Sequence, residues 1–414
     1  MIDAWEVIVI GAGAAGLMAA LRAAERGKRV LLLEKNRKPG VKILMSGGTR
    51  CNITHATDNR GIVAAYGPSG KFLHSPLAAL GVQETIELFE AEGVAVKVEE
   101  TGKIFPVSNK AMDVLGALLA RLQRSGATLA LGEPLVEMAR LEAGFTLTTP
   151  ARTLATPRVI LTTGGQSYPG SGTTGDGYRF AARFGHTIVP PRPALVPLTT
   201  NVSWVAELRG LTLEDVSVSI VEARAGPSAA NLIRRRGSLL FAHFGLSGPV
   251  ILDVSRVVSG HPHPETLTLV IDLLPNVAEA ALSEFVRAQS AASGKKQLAV
   301  VLSAYLPRRL ADLAMAHAGL ATERKAAALS KEERNRLVAA VKQLAIPLTG
   351  TLGFKKAEVT AGGIALEEID SRDMQSKRVP GLFLAGEVLD LDGPIGGFNF
   401  QAAWSTGWLA GSSV

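Results

Sequence analysis

Six residues, Gly11-Ala12-Gly13-Ala14-Ala15-Gly16, have the G-x-G-x-x-G spacing that lets a backbone approach a pyrophosphate. The run Val7-Ile8-Val9-Ile10 before them is unbroken and apolar, as in a strand buried on both faces of a parallel sheet. Ala14 to Glu25 is rich in Ala and Leu and predicts a helix, with Gly27 placed to end it. Val30 to Leu33 reads as a second buried strand, and Glu34 closes it, about 20 residues after the glycines. In that context each position has a task. Gly11 permits the tight turn and Gly13 admits the phosphates. Ala14 and Ala15 open a helix whose free N–H groups attract anions, and Gly16 lets that helix lie close on the sheet. Glu34, followed by Lys35, is placed to accept hydrogen bonds from a ribose hydroxyl.

This fingerprint binds ADP-ribose and does not by itself separate FAD from NAD. The far end of the sequence favours FAD. Gly381 to Glu387 predicts a buried strand that closes on Ala385-Gly386-Glu387. Gly396-Gly397-Phe398-Asn399 then opens a helix that runs to about Leu409. A second helix N-terminus beside the sheet could stabilise the negative charge that builds on a flavin pyrimidine upon reduction. A further buried strand, Val159 to Leu161, ends at Thr162-Thr163-Gly164-Gly165. No second G-x-G-x-x-G stands in such a setting, so NAD(P)H is expected to visit as a transient donor.

The composition bounds the alternatives. The 414 residues carry 44 Lys and Arg against 37 Asp and Glu, a net charge of +7, and 47% of them are hydrophobic. A chain this apolar is not disordered. Its one cysteine excludes a disulfide framework and any cysteine-built zinc or iron–sulfur centre. The longest uncharged apolar stretch, Val7 to Leu21, falls short of a membrane span and is interrupted by glycines. A cytoplasmic protein without a membrane association is therefore expected. None of the Gly-Lys pairs completes a P-loop, and Gly245-Leu246-Ser247-Gly248 lacks the spacing of a hydrolase elbow. No metal site is expected, since His261 and His263 sit among prolines.

Further along, the pattern changes twice. Pro190, Pro191, Pro193 and Pro197 make a stiff exit from the first domain. Val216-Val218-Ile220 and Leu267-Leu269-Ile271 then alternate with other residues at period two, which predicts half-buried antiparallel strands in a small sheet or barrel. Residues 276–345 turn helical, with capping-box spacing at Asn276/Glu279 and Ser330/Glu333. Eleven Lys and Arg against six Asp and Glu give that stretch a surplus of +5, either a solvated helix face or a docking surface for an anionic partner. Arg234-Arg235-Arg236 likewise reads as a phosphate contact or as a solvated strand edge.

The run Lys42-Ile43-Leu44-Met45-Ser46-Gly47-Gly48-Thr49-Arg50-Cys51-Asn52 resembles the K-x-x-x-S-G-x-G-R-C-N segment of the BaiN-like bacterial flavoproteins, also known as the HI0933-like family. Gly48-Thr49 stands where Gly-Gly is usual. Thr163 to Pro169, Thr174 to Gly177, His243 to Pro249, Thr360 to Gly363 and Ala385 to Asp390 are similar too, in the family's order. The resemblance implies an α/β protein with a discontinuous Rossmann-type FAD-binding domain. It also implies an inserted β-barrel-like domain that carries a helical subdomain. Together with the composition shifts this gives the first part of the FAD domain over 1–190, the β insert over 191–275, the helical subdomain over 276–345 and the return over 346–414.

By the same resemblance Lys42, Ser46, Gly47, Gly48, Arg50, Cys51 and Asn52 would lie along a non-covalently held FAD, and Val136 would meet adenine through its backbone. Cys51 is either a redox or acid–base thiol beside the flavin or a small filler packed against it. His243 is either a proton donor to substrate or a structural histidine. The expected activity is that of an FAD-dependent oxidoreductase. Hydride would pass through flavin N5 between NAD(P)H or a reduced substrate and a small organic acceptor or oxygen, with reduction of conjugated C=C bonds among the reactions. A small-molecule substrate is preferred to nucleic acid. The alternative is a flavoprotein acting in RNA modification or RNA binding through its basic insert, and a third reading is a flavin-bound regulator.

Overall fold

The structure, a computed structural model, describes residues 3–222, 230–292, 294–327 and 329–414. The chain forms two compact units: residues up to Ala194 together with Gly353–Val414, and Leu195–Leu352. Among the described residues no helix is long and apolar enough to cross a membrane.

In the first unit the four apolar runs read as strands form a sheet with a fifth, Thr128–Leu131. They are β1 (Val7–Ile10), β2 (Val30–Glu34), β3 (Thr128–Leu131), β4 (Arg158–Leu161) and β5 (Leu382–Leu384). They form one sheet in the order β5-β4-β1-β2-β3, parallel throughout. Parallel strands must be joined by crossovers, and these runs are buried along their whole length, which is why they do not alternate. Val7, Ile8, Val9, Leu31, Leu32, Val159, Ile160 and Leu384 have no exposed surface. Each such side chain contributes roughly 1.5–3 kcal/mol by leaving water. The chain order reverses beside β1, and in open α/β sheets ligands bind at the carboxyl ends of the strands at that switch. Those ends here lead into Gly11, Glu34, Thr162 and Ala385.

Two helices close the unit from opposite ends of the sequence. α1 (Ala14–Glu25) follows β1, and α2 (Phe398–Ser413) lies against it. Gly407 and Gly411 bring the backbones together: a Cβ on either would stand 2.3 Å from the carbonyl oxygen of Ala15 or Ala19. Smaller sheets complete the unit. The strand Ile188–Ala194 pairs antiparallel with Val359–Ile364, where the chain leaves and re-enters.

The second unit is a seven-stranded antiparallel sheet. The helix Pro249–Gly260 touches Thr212–Glu222, Ala230–Ala242, Gly245–Ser247, Leu198–Thr199 and Gly350–Thr351 alike, so the sheet curls around it. The period-two residues Val216, Val218, Ile220, Leu267, Leu269 and Ile271 all point into that core. Helices Glu279–Ala292, Leu298–Leu302, Arg308–His317 and Lys331–Lys342 share the same core. Ser330 and Glu333 cap Lys331–Lys342 reciprocally, as their spacing predicts. Asn276 does not cap the helix beginning at Glu279. Its side chain is taken by Asp215 and Arg236, because a charged pair offers a stronger hydrogen bond than a helix terminus does.

Candidate functional site

The site grows from the turn after β1. Gly11 donates its N–H to Leu33 O at 2.7 Å, which fixes the turn against β2. Gly16 faces back into that turn, where a Cβ would lie 1.8 Å from Gly11 O. Gly13 is different. It is the N-cap of α1, and a Cβ there would meet nothing within 4 Å. No side chain caps α1, so its first N–H groups, from Ala14 onward, face an open approach carrying the helix's partial positive charge.

Glu34 is buried at the end of β2 and braces this turn. One carboxylate oxygen accepts from Ala12 N and the other from Asn36 N, both at 2.8 Å. Each oxygen keeps a lone pair for a ribose hydroxyl. Lys35 instead bonds Thr174 Oγ1 and Asp176 Oδ2, at 2.6 Å each. That hydrogen bond and charge hold the Asp176 carboxyl below its ordinary range despite partial burial. Val136 has already given its N–H to Thr148 O, and its carbonyl lies 3.4 Å from Arg179 Nη2. Strand pairing thus leaves no free N–H there for adenine.

The segment after Lys42 begins as a helix and does not stay one. The backbone leaves helical geometry at Ser46, and φ is positive at Gly47, Gly48, Thr49 and Cys51. Thr49, at φ 70°, occupies a left-handed position where a β-branched side chain is strained. This gives a physical reason for the glycine usual there. Thr49→Gly is expected to raise stability by about 0.5–1 kcal/mol, the relieved strain less the entropy glycine adds to the unfolded chain. A urea midpoint that does not move would show that Thr49 sits there without strain.

Arg50 turns aside, bonding Glu99 at 2.7 Å and lying 3.9 Å over the Phe105 ring. Cys51 is wholly covered by protein atoms, and burial pushes its thiol up to about 12 against a hydrogen bond with Ser46. Of its two readings the geometry supports the packed filler; a buried, protonated thiol is neither base nor nucleophile at neutral pH. The native protein is expected to leave Cys51 unreacted with a thiol reagent at pH 8 and to titrate one thiol once denatured. Rapid native labelling would reverse that assignment. Asn52 is buried beside it, and its Oδ1 has no hydrogen-bond partner among the described residues.

Lys42 leads into the most connected polar group of the site. Its Nζ donates to Ser167 Oγ at 2.6 Å and to Glu387 Oε2 at 2.5 Å. Ser167 Oγ donates to Glu387 Oε1 at 2.7 Å, and Thr360 N donates to the same oxygen at 3.0 Å. Two of the three ammonium donors are used, and one remains. Ser167 and Thr360 were legible only as members of resembling stretches; nothing in their spacing announces that they hold a carboxylate.

At the other end Gly386 faces Ala15, where a Cβ would come within 2.7 Å of the Ala15 methyl, and it donates to Thr406 Oγ1. The segment after β5 therefore lies against the first turn of α1. Gly397 is the N-cap of α2, and His55 accompanies it. His55 Nδ1 lies 2.9 Å from Gly396 O, and its ring stacks on Phe398 at 4.5 Å. Asn399 commits its amide to Gly393, accepting its N–H and donating to its carbonyl, so it braces the loop before α2. Thr163 stands at the end of β4 ahead of Gly164 and Gly165, and its buried Oγ1 has no partner among the described residues. The Tyr178 hydroxyl is likewise buried and unpartnered, and burial with the charges of Glu387 and Asp390 raises its pKa. No periodicity or motif points to it. His243 belongs to the second unit, on the exposed turn between Ala230–Ala242 and Gly245–Ser247, with its ring edge-on to Phe244.

These residues fit FAD. The open approach at Gly13, the uncapped α1 and the buried, unpartnered oxygens of Asn52 and Thr163 are what a diphosphate and a polar ring system would complete. Comparison with known proteins agrees. The model for the HI0933-like protein Rossmann domain matches residues 5–413. A ribosomal RNA dihydrouridine synthase of Escherichia coli is 34% identical over 413 residues, covering 100% of this chain and 98% of the relative. A 3-dehydro-bile acid delta(4,6)-reductase of Clostridium scindens is 30% identical over 410 residues, covering 98% of each. The solved 3-ketosteroid-delta4-(5alpha)-dehydrogenase of Rhodococcus jostii shares the fold, with a TM-score of 0.52 at 16% identity over 99% of this chain and 96% of that one. The chain belongs to the HI0933-like family of Rossmann-fold, FAD-binding flavoprotein oxidoreductases.

Proposed function

We propose that the protein is an FAD-dependent reductase of a C=C bond conjugated to a carbonyl, and that the bond is the C5=C6 bond of a uracil ring in ribosomal RNA. One observation carries this reading: the full-length relatives are named for the same chemistry on different molecules. Dihydrouridine is uridine with its C5=C6 bond saturated, and a delta(4,6)-reductase saturates bonds conjugated to a ring ketone. The RNA assignment follows the relatives at 34% and 33% identity, both named ribosomal RNA dihydrouridine synthases, the second from Haemophilus influenzae. It takes up the RNA-modification alternative drawn from the sequence.

When bound, FAD would supply the hydride chemistry that saturates the bond at the carbon β to the carbonyl, with NAD(P)H as the reductant. The chain must supply the rest. Gly13 and the α1 N-terminus would hold the diphosphate, and Glu34 would hold the ribose. The N-terminus of α2 would offer partial positive charge to the negative charge of a reduced flavin. A proton must also reach the carbon α to the carbonyl. Lys42 is suited to hold it, because Glu387 and Ser167 fix its ammonium while leaving one N–H free.

The test is direct. Holoprotein, NADPH or NADH and ribosomal RNA lacking the modification should give dihydrouridine, detected as a two-hydrogen mass gain after nuclease digestion. Saturation of a 3-keto-4-ene steroid with no product in ribosomal RNA would transfer the assignment to the bile-acid type of substrate, which the relative at 30% identity represents.

A further inference from the structure

Resting on the ribosomal-RNA reading, we infer that the paired segments 294–297 and 324–327 of the helical insert form a docking surface for the RNA phosphate backbone, built on Lys295, Lys296 and Lys325. The two segments run antiparallel. Gln297 and Lys325 form a bridge, Ala326 N donates to Lys296 O at 2.9 Å, Ala327 N to Gly294 O at 2.9 Å, and Leu298 N to Arg324 O at 2.8 Å. Leu298 and Ala326 have no exposed surface and root the pair in the core of the second unit. The three lysines are thus presented on a fixed backbone, and all three are exposed.

Their charge is uncommitted, and they stand together on two paired segments, whereas Lys331, also without a partner among the described residues, lies outside them. Most other cations of the insert are engaged: Arg287 with Glu284, Arg308 with Asp312, Arg324 with Glu333, and buried Lys342 with Asp272. The arginine triplet is also used internally, Arg236 bonding Asp215 through two nitrogens and Arg234 bonding Ser217. Among the described residues Lys295, Lys296 and Lys325 have neither an ion pair nor a side-chain hydrogen bond. They therefore account for much of the +5 surplus that residues 276–345 carry. The segments, Gly-Lys-Lys-Gln and Arg-Lys-Ala-Ala, offer no aromatic or large apolar side chain, so they lack the anchors of a protein–protein interface. Flexible ammonium groups that displace counterions are what a phosphate backbone of any sequence requires.

The experiment uses the full-length holoprotein and a variant with Lys295→Ala, Lys296→Ala and Lys325→Ala. The probes are a ribosomal RNA transcript and an unrelated RNA of equal length, each titrated across salt concentration. The variant should bind both RNAs about tenfold or more weaker in 0.1 M salt. Its dependence of log affinity on log salt should be shallower by about 2–3, near 0.7–0.9 for each phosphate no longer neutralised. Its flavin content should match wild type, because no site residue lies in these segments. Equal affinity and equal salt slope for variant and wild type would overturn the docking surface. Dihydrouridine formation by wild type judges the reading beneath it separately: product with unchanged variant binding removes the surface and leaves the activity standing. Weakened variant binding without product leaves the surface and removes the activity.

Discussion

Gly16→Val should fail to yield folded flavoprotein, whereas Gly13→Asp should fold and lose FAD. The two glycines belong to one motif and differ in what surrounds them. A Cβ at Gly16 would stand 1.8 Å from Gly11 O and 2.6 Å from Thr162 Oγ1. α1 cannot retreat from the sheet, since Gly407 and Gly411 of α2 hold its backbone on the other side. A clash with the Gly11 main chain and the Thr162 hydroxyl, with no room to retreat, is expected to cost more than about 4 kcal/mol, a large share of the roughly 5–15 kcal/mol that holds an ordinary domain folded. Soluble yield and circular dichroism measure it. At Gly13 the backbone is extended, with φ −84°, and a new side chain meets no neighbour within 4 Å. Gly13→Asp should therefore keep the thermal midpoint of the wild-type apoprotein while a carboxylate occupies and repels the phosphate locus. Flavin absorbance should fall at least a hundredfold per mole of protein. Full flavin content in that variant would show that the turn does not hold the diphosphate.

Lys42→Met should cut reduction of the conjugated bond by about 10²–10³-fold while flavin content stays near wild type. Methionine keeps much of the length of the side chain and removes the charge and the proton. Glu387 retains Ser167 Oγ and Thr360 N as donors, so its carboxylate is not left unpaired by the change. The informative measurement separates the halves of the cycle. Reduction of the holoprotein by the nicotinamide should be little altered, and reoxidation by the substrate should carry the loss. Equal reoxidation rates would remove Lys42 from proton delivery and leave it a role in holding Glu387.

Much of the first unit can be read directly from the residues. Unbroken apolar runs mark the parallel strands, and the glycine spacing with Glu34 marks the switch point, because both patterns follow from steric needs local to a few residues. The course of 46–52 could not be read that way. Ile43-Leu44-Met45 has good helix formers, yet three positive φ values in succession end the helix, and no periodicity in the sequence announces that turn. Asn276 misled for a related reason: capping-box spacing is a local signal, and Asp215, distant in sequence, draws its side chain away from the helix. The Ser167–Lys42–Glu387–Thr360 group joins residues separated by up to 345 positions, so only the folded chain reveals it. Tyr178 is the extreme case, a hydroxyl whose burial no sequence signal announces.

The close backbone packing of α1 on α2 bears on how the protein is made. On a ribosome α1 and its strand emerge early, but α2, which covers α1, begins only at Phe398, and β5, the outer neighbour of β4, only at Leu382, both beyond the whole inserted unit. Until those residues are synthesised the nascent first unit must carry bare apolar surface, and its assembly is dominated by pairings distant in sequence, which are slow to close. The insert can reach its native form first, so the nucleotide-binding half should be the part that waits for chaperones.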